Sequence, residues 1–141
     1  EVWEKALEYL VKAGQKAEQA YANSAALDHY SRALDICERL GEAVEPTTRM
    51  TIYAGKGAVH FLLSEFRASV EAQQRLLEVS LQLGDRHKEA EALYQIGFGF
   101  CYAHEFEKAL EFSPRRRRSP RRLVIRTSWR RASLLSPKST P

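Results

Sequence analysis

The chain has 141 residues, 44% hydrophobic and 28% charged, enough to bury one ordinary domain core. It has no apolar run of the roughly 18 residues a membrane span needs, no charged-then-apolar leader, and too few cysteines (two) for a disulfide scaffold. The net charge of +4 hides a division. Residues 1–112 hold all 18 Asp and Glu against 12 Lys and Arg, a net of −6, while residues 113–141 hold ten Lys and Arg and no acid.

The first run is amphipathic at helical spacing through Trp3, Leu7, Leu10 and Val11, with Gly14 inside it. Because the chain opens on Glu1 within this pattern, it reads as a piece of something longer or as a sequence whose start was chosen, and its first helix is expected to have an upstream neighbour. A turn expected at Ala22–Ser24 leads to a second helix carrying Ala26, Leu27 and Ala33–Leu34, which Leu40–Gly41 closes. The same frame returns after Gly57. Tyr53 precedes the glycine, Ser64–Glu65 marks the turn, and Phe66, Ser69, Val70 and Leu76–Leu77 lead to Leu83–Gly84. Asp85 then stands where it can cap a following helix. A third unit has Leu93, Gly97, a turn at His104–Glu105, then Phe106, Ala109 and Leu110.

Gly57 follows Gly14 by 43 residues and Gly97 follows Gly57 by 40, while Gly14 to Gly41 and Gly57 to Gly84 both span 27. A recurrence of this length means a stack of similar helical units. Gly14, Ala26, Ala33, Gly57, Ser69, Gly97 and Ala109 are the expected repeat-packing positions, where a small residue lets one helix approach another. A glycine inside a helix costs about 1 kcal/mol relative to alanine, so three in register call for a packing reason.

Leu10…Gly14…Ala26…Tyr30…Ala33, Tyr53…Gly57…Phe66…Ser69 and Leu93…Gly97…Phe100…Phe106…Ala109 resemble the tetratricopeptide repeat. The longer period is similar to that of kinesin light chains, G-protein-signalling modulators and the C-terminal arrays of bacterial signalling ATPases and cyclase-like regulators. The opening run from Trp3 to Ala17 is most similar to the last group. The sequence departs from the pattern at Ala17, Asn23, Lys56, Ser69 and Gln73. The resemblance implies an all-α, right-handed solenoid of helical hairpins over residues 1–112, with units at about 3–41, 46–84 and 86–112.

It also implies a partner-binding groove on the first helix of each hairpin. Gln15 and Glu18 are its expected lining in the first unit, Thr51, Ala58 and Phe61 in the second, and Tyr94, Phe98, Cys101 and Tyr102 in the third. The lining runs from polar-acidic to aromatic. Two uses of its aromatic end stand open: contact with a further repeat, or a groove for an apolar or amphipathic segment. Gln15, Ala58 and Phe98 stand where chaperone-binding members of the family carry asparagine, so no affinity for chaperone-tail peptides is expected.

The third unit breaks at Ser113–Pro114, since proline interrupts a helix interior. Its loss of a full second helix is expected to expose Leu93, Ile96 and Phe100, giving marginal stability or self-association. Residues 113–141 are rich in Arg, Ser and Pro and are expected to be disordered. They admit three readings: a solvated tail, a frameshifted or mis-spliced continuation of the array, or a basic arm. As a basic arm they would bind nucleic acid, an acidic partner or an address receptor, since arginine runs can neutralise phosphates.

No chemistry stands out. Gly97–Phe98–Gly99 lacks the strand and the Lys that a phosphate loop needs, and the pair Cys101 and His104 falls short of four zinc ligands. No catalytic residue, metal or cofactor is expected. Cys37 and Cys101 read as packed free thiols, which points to a reducing cytoplasm. The leading expectation is a non-enzymatic protein-interaction module in the regulatory array of a larger signalling protein. The alternatives are a repeat segment of a cyclase-like or ATPase regulator whose catalytic domain lies elsewhere, and a nucleic-acid-associated protein acting through its tail.

Overall fold

The computed structural model describes residues 1–112, and all their regular structure is helical. The order is α1 (Val2–Gln19), α2 (Asn23–Leu40), a short 3-10 turn (Gly41–Ala43), α3 (Pro46–Leu62), α4 (Phe66–Leu83), α5 (Arg86–Tyr102) and α6 (Phe106–Glu111). The reading of residues 113–141 as a disordered tail falls outside the described residues. Each helix packs on its successor, and α1 also touches α3.

The first turn lies at residues 20–22, two positions before the expected one, because α2 already begins at Asn23. Its geometry recurs in the other two hairpins. Tyr21, Ser64 and His104, again 43 and 40 residues apart, adopt φ of 58°, 60° and 62°. The amide of each donates to the carbonyl three residues back, at 3.0 Å in all three. The next amide reaches five back: Ala22 to Ala17 at 2.9 Å, Glu65 to His60 at 2.8 Å, Glu105 to Phe100 at 2.7 Å. This paired closure satisfies the last free carbonyls of a helix and needs one left-handed residue, for which glycine is best suited. A non-glycine residue there costs about 1 kcal/mol or more. Ser64→Gly is therefore expected to stabilise the chain by about 1 kcal/mol and raise its melting temperature by several degrees. An unchanged or lowered melting temperature would contradict this cap geometry.

The hairpins join differently. Gly84 is left-handed (φ 72°, ψ 20°), and Asp85 accepts the Lys88 amide at 3.1 Å to start α5. Gly41 does not follow suit. It lies at φ 60°, ψ −127°, and opens the 3-10 turn before Pro46 begins α3 at a position that needs no amide donor. Arg49 of α3 holds this junction, donating from Nη2 to the carbonyls of Gly41 (2.5 Å) and Cys37 (3.3 Å) at the α2 C-terminus.

Two clusters form the interior. One gathers Leu7, Ala26, Tyr30, Ala33, Ile36 and Cys37 with Ile52 and Val59. The other gathers Met50, Val70, Leu76 and Leu77 with Leu93, Ile96 and Phe112. Helix α3 contributes to both, which ties the first hairpin to the rest.

Tyr30 is fully buried and is held from two sides. A Cβ placed on Gly14 of α1 would lie 2.6 Å from its Cε1, and one on Gly55 of α3 would lie 2.5 Å from its Cζ. The ring thus fills a slot that two different hairpins leave open, and its hydroxyl donates to Glu18 Oε1 at 2.8 Å. Burial, then the hydrogen bond to Glu18 and its charge, push the phenol well above its ordinary value. A raised phenol favours folding at every pH below the unfolded value of about 10 and loses that contribution above it. Tyr53 is raised as well, chiefly by burial. A stability decline is expected to begin near pH 10, and Tyr30→Phe should make it shallower in urea melts taken from pH 8 to 11. An unchanged slope would mean that the phenol ionises as readily folded as unfolded.

Gln73 holds the place after Gly57 that Tyr30 holds after Gly14, and a Cβ on Gly57 would meet its Nε2 at 2.5 Å. It is buried, and its Oε1 has no hydrogen-bond partner among the described residues. Ser69 replaces Ala26 in the frame and donates from Oγ to the Gly57 carbonyl at 2.8 Å. In α5 the tight approach is at Gly99, where a Cβ would lie 2.5 Å from Val70 Cγ2. Among the described residues Gly97 has only the Ala109 carbonyl in reach, at an ordinary 3.8 Å, and Ala109 itself is half-buried.

The expected exposure of Leu93, Ile96 and Phe100 is corrected. Leu93 and Ile96 are buried in the cluster that α4 supplies through Val70, Leu76 and Leu77, so α5 does not need a long α6 to cover them. Phe100 packs on Phe112, ring centres 5.6 Å apart.

Candidate protein-interaction face

Helix α5 is apolar on two sides. Ala92, Leu93, Ile96 and Gly99 face the interior. Tyr94, Phe98, Cys101 and Tyr102 recur at the complementary helical spacing and stay open, the three aromatic rings 55%, 51% and 57% exposed. A surface helix ordinarily carries one apolar stripe, and here the second is an exposed apolar patch. Phe106 and Leu110, one turn apart on α6, are exposed as well.

At one end of this face three rings from three helices converge. Phe61 of α3 meets Phe66 of α4 edge-on at 5.3 Å and Tyr102 of α5 edge-on at 5.1 Å, and Phe66 stacks with Tyr102 at 5.3 Å. Such offset and edge contacts satisfy the ring quadrupoles and fix the rings in place. Beside them Arg67 reaches Glu105 (3.3 Å), which Lys108 also approaches at 2.8 Å. The Lys108 hydrogen bond, opposed by burial and aided by the charges of Lys108 and Arg67, holds the Glu105 carboxyl below its usual range. His60 is half-buried, with Nδ1 2.8 Å from Glu65 Oε1.

The structure brings Phe61 and Tyr102 together and leaves Tyr94, Phe98 and Cys101 in one open row. Of the other expected lining residues, Gln15 is exposed and Glu18 is engaged by Tyr30. Thr51 turns its hydroxyl to the Thr47 carbonyl at 3.0 Å, and Ala58 is half-buried. Cys101 does not fit its packed-thiol reading: it is exposed, because the interior side of α5 is filled by Ile96 and Gly99. Cys37 is buried, and that burial pushes its thiol up, with Arg49 opposing. Phe66 joins the ring cluster although it had entered the sequence reading only as a register position. Its signal was proximity, since Phe61 and Phe66 flank a turn of known length.

Among the described residues no group of three or more His, Cys, Asp or Glu could hold a metal ion, and no helix is long and apolar enough to cross a membrane. Comparison with models of known protein families returns no match, and no curated protein is significantly similar to the chain.

Proposed function

We propose that the chain is a tetratricopeptide-like stack of helical hairpins that acts as a non-enzymatic protein-interaction module, holding an amphipathic segment of a partner along the open side of α5. The observation that carries this is the exposed row Tyr94, Phe98 and Tyr102 on a helix whose other side is already buried. Aromatic rings suit such a role because they bury a large area at the cost of few rotors. The recurrent turn at Tyr21, Ser64 and His104 supports the stacked-hairpin reading, since units that are alike in geometry are the ones that nest by translation. The net charge of −6 over residues 1–112 favours a partner segment with basic residues beside its apolar ones. A place in the regulatory array of a larger, cytoplasmic signalling protein fits this reading.

The test is selection of displayed peptides on the full chain, with binding then measured on Tyr94→Ser/Phe98→Ser. Both positions are exposed, so the double variant should melt as the parent does. Selected peptides are expected to be amphipathic and basic, and to bind the variant at least about tenfold more weakly, the loss of one good anchor. Peptides that bind parent and variant alike would place the interaction elsewhere.

A further inference from the structure

The first turns of α4 form a contact surface that the following hairpin covers. Phe66 and Val70 stand nine and thirteen residues after Gly57. Tyr102 of α5 stacks on Phe66, ring centres 5.3 Å apart. Gly99 of α5 leaves the hollow that Val70 fills, since a Cβ there would lie 2.5 Å from Val70 Cγ2. An ion pair between Arg67 and Glu105, at 3.3 Å, closes the contact just beyond the helix. The third hairpin repeats this surface. Phe106 and Leu110 stand nine and thirteen residues after Gly97, and Phe106 opens α6 as Phe66 opens α4. The turns before them share one geometry, at Ser64 and His104. Phe66 is half-buried and Val70 is buried, whereas Phe106 and Leu110 are both 59% exposed. Glu107, also exposed, takes the place of Arg67. Among the described residues no helix follows α6.

We propose that α6 is a second interaction surface, and that it takes an amphipathic helix of another protein with a small residue, an aromatic ring three positions later and a lysine or arginine six positions later. That occupant is read from the contact the chain already makes, where Gly99, Tyr102 and Glu105 have this spacing. The small residue admits Leu110, as Gly99 admits Val70. The ring stacks on Phe106, as Tyr102 stacks on Phe66. The last member changes sign, because Glu107 stands where α4 has Arg67. A base just past the end of a helix also suits the helix dipole. A second copy of the chain does not supply this occupant. Its Gly99 and Tyr102 are already engaged by its own Val70 and Phe66, and its α1 has Lys16 at the place of Gly99, two residues after the frame glycine. The inference does not depend on the open row of α5.

The probe is a fluorescein-labelled synthetic peptide of residues 86–105 carrying Cys101→Ser and Glu105→Lys, titrated with the full chain and followed by anisotropy. A lone helix that orders on binding gives modest affinity, so a dissociation constant of about 10–100 µM is expected. Leu110→Glu alters an exposed side chain and should melt as the parent does, yet weaken binding at least about tenfold. A peptide that also carries Gly99→Leu should bind the parent at least about tenfold more weakly, because two large side chains then compete for one hollow. Leucine favours a helix over glycine, so propensity alone predicts the opposite sign. Leu110→Ala should recover most of that loss, since the bulk has only changed sides. No binding at about 1 mM chain, equal binding by Leu110→Glu, or a size exchange that recovers nothing would each overturn the proposal. Binding kept in Leu110→Glu but lost in Tyr94→Ser/Phe98→Ser would overturn it too, and would assign the peptide to the open row of α5.

Discussion

Tyr30→Ala is expected to cost about 3–5 kcal/mol, a large share of the 5–15 kcal/mol that holds an ordinary domain together. The ring is fully buried and touches three helices, α1 through Gly14, α3 through Gly55 and its own α2. Its loss leaves a cavity that no neighbour can fill, since the two flanking residues are glycines and have no side chain to move in. Glu18 loses its donor but is only half-buried, so it can turn to water, and most of the cost is packing. Urea unfolding followed by circular dichroism would measure it. A loss under about 1 kcal/mol would mean that the first two hairpins are held together by something else.

Gly55→Ala should show the same lock from the other side. In the parent chain the new methyl would sit 2.5 Å from Tyr30 Cζ and 2.6 Å from its hydroxyl. The ring cannot retreat, because a Cβ on Gly14 would already be 2.6 Å from its other edge. Overpacking of this kind costs about 1–3 kcal/mol, against about 1 kcal/mol gained when alanine replaces a helical glycine. The net expectation is a loss of up to about 2 kcal/mol. In the Tyr30→Ala background the clash is gone and only the helix gain remains, so the same substitution should stabilise by about 1 kcal/mol. That difference between backgrounds is a coupling of about 1–3 kcal/mol, beyond the roughly 0.3–0.5 kcal/mol to which independent sites add. Equal effects in the two backgrounds would dissolve the lock.

The helices were legible because their signals are local. Spaced apolar residues, the Leu-Gly closures and Asp85 each act within one or two turns, and α2 to α5 lie where those signals put them, with only the first turn displaced. The glycine frame was legible in part. Gly14 and Gly57 do face a side chain sixteen residues on, but Gly55 and Gly99 stand outside the 40- and 43-residue spacing. Their partners, Tyr30 and Val70, come from the preceding hairpin, and a contact between hairpins leaves no fixed interval to count. The face on α5, Cys101 included, was read from its spacing, and the second reading of Cys101 as a packed thiol went against the helical phase that put it with Tyr94 and Phe98. The same phase put Leu93 and Ile96 on the opposite side, against α4, where a truncated α6 cannot expose them.

The account treats the three hairpins as like units set side by side. Spin labels on cysteines at positions 21, 64 and 104, placed in pairs, report this directly, with Cys101 changed to serine and buried Cys37 left in place. Stacked hairpins predict that the 21–64 and 64–104 separations are similar and that 21–104 is clearly longer than either. A 21–104 separation as short as the other two would mean helices gathered around one centre, and would contradict the account.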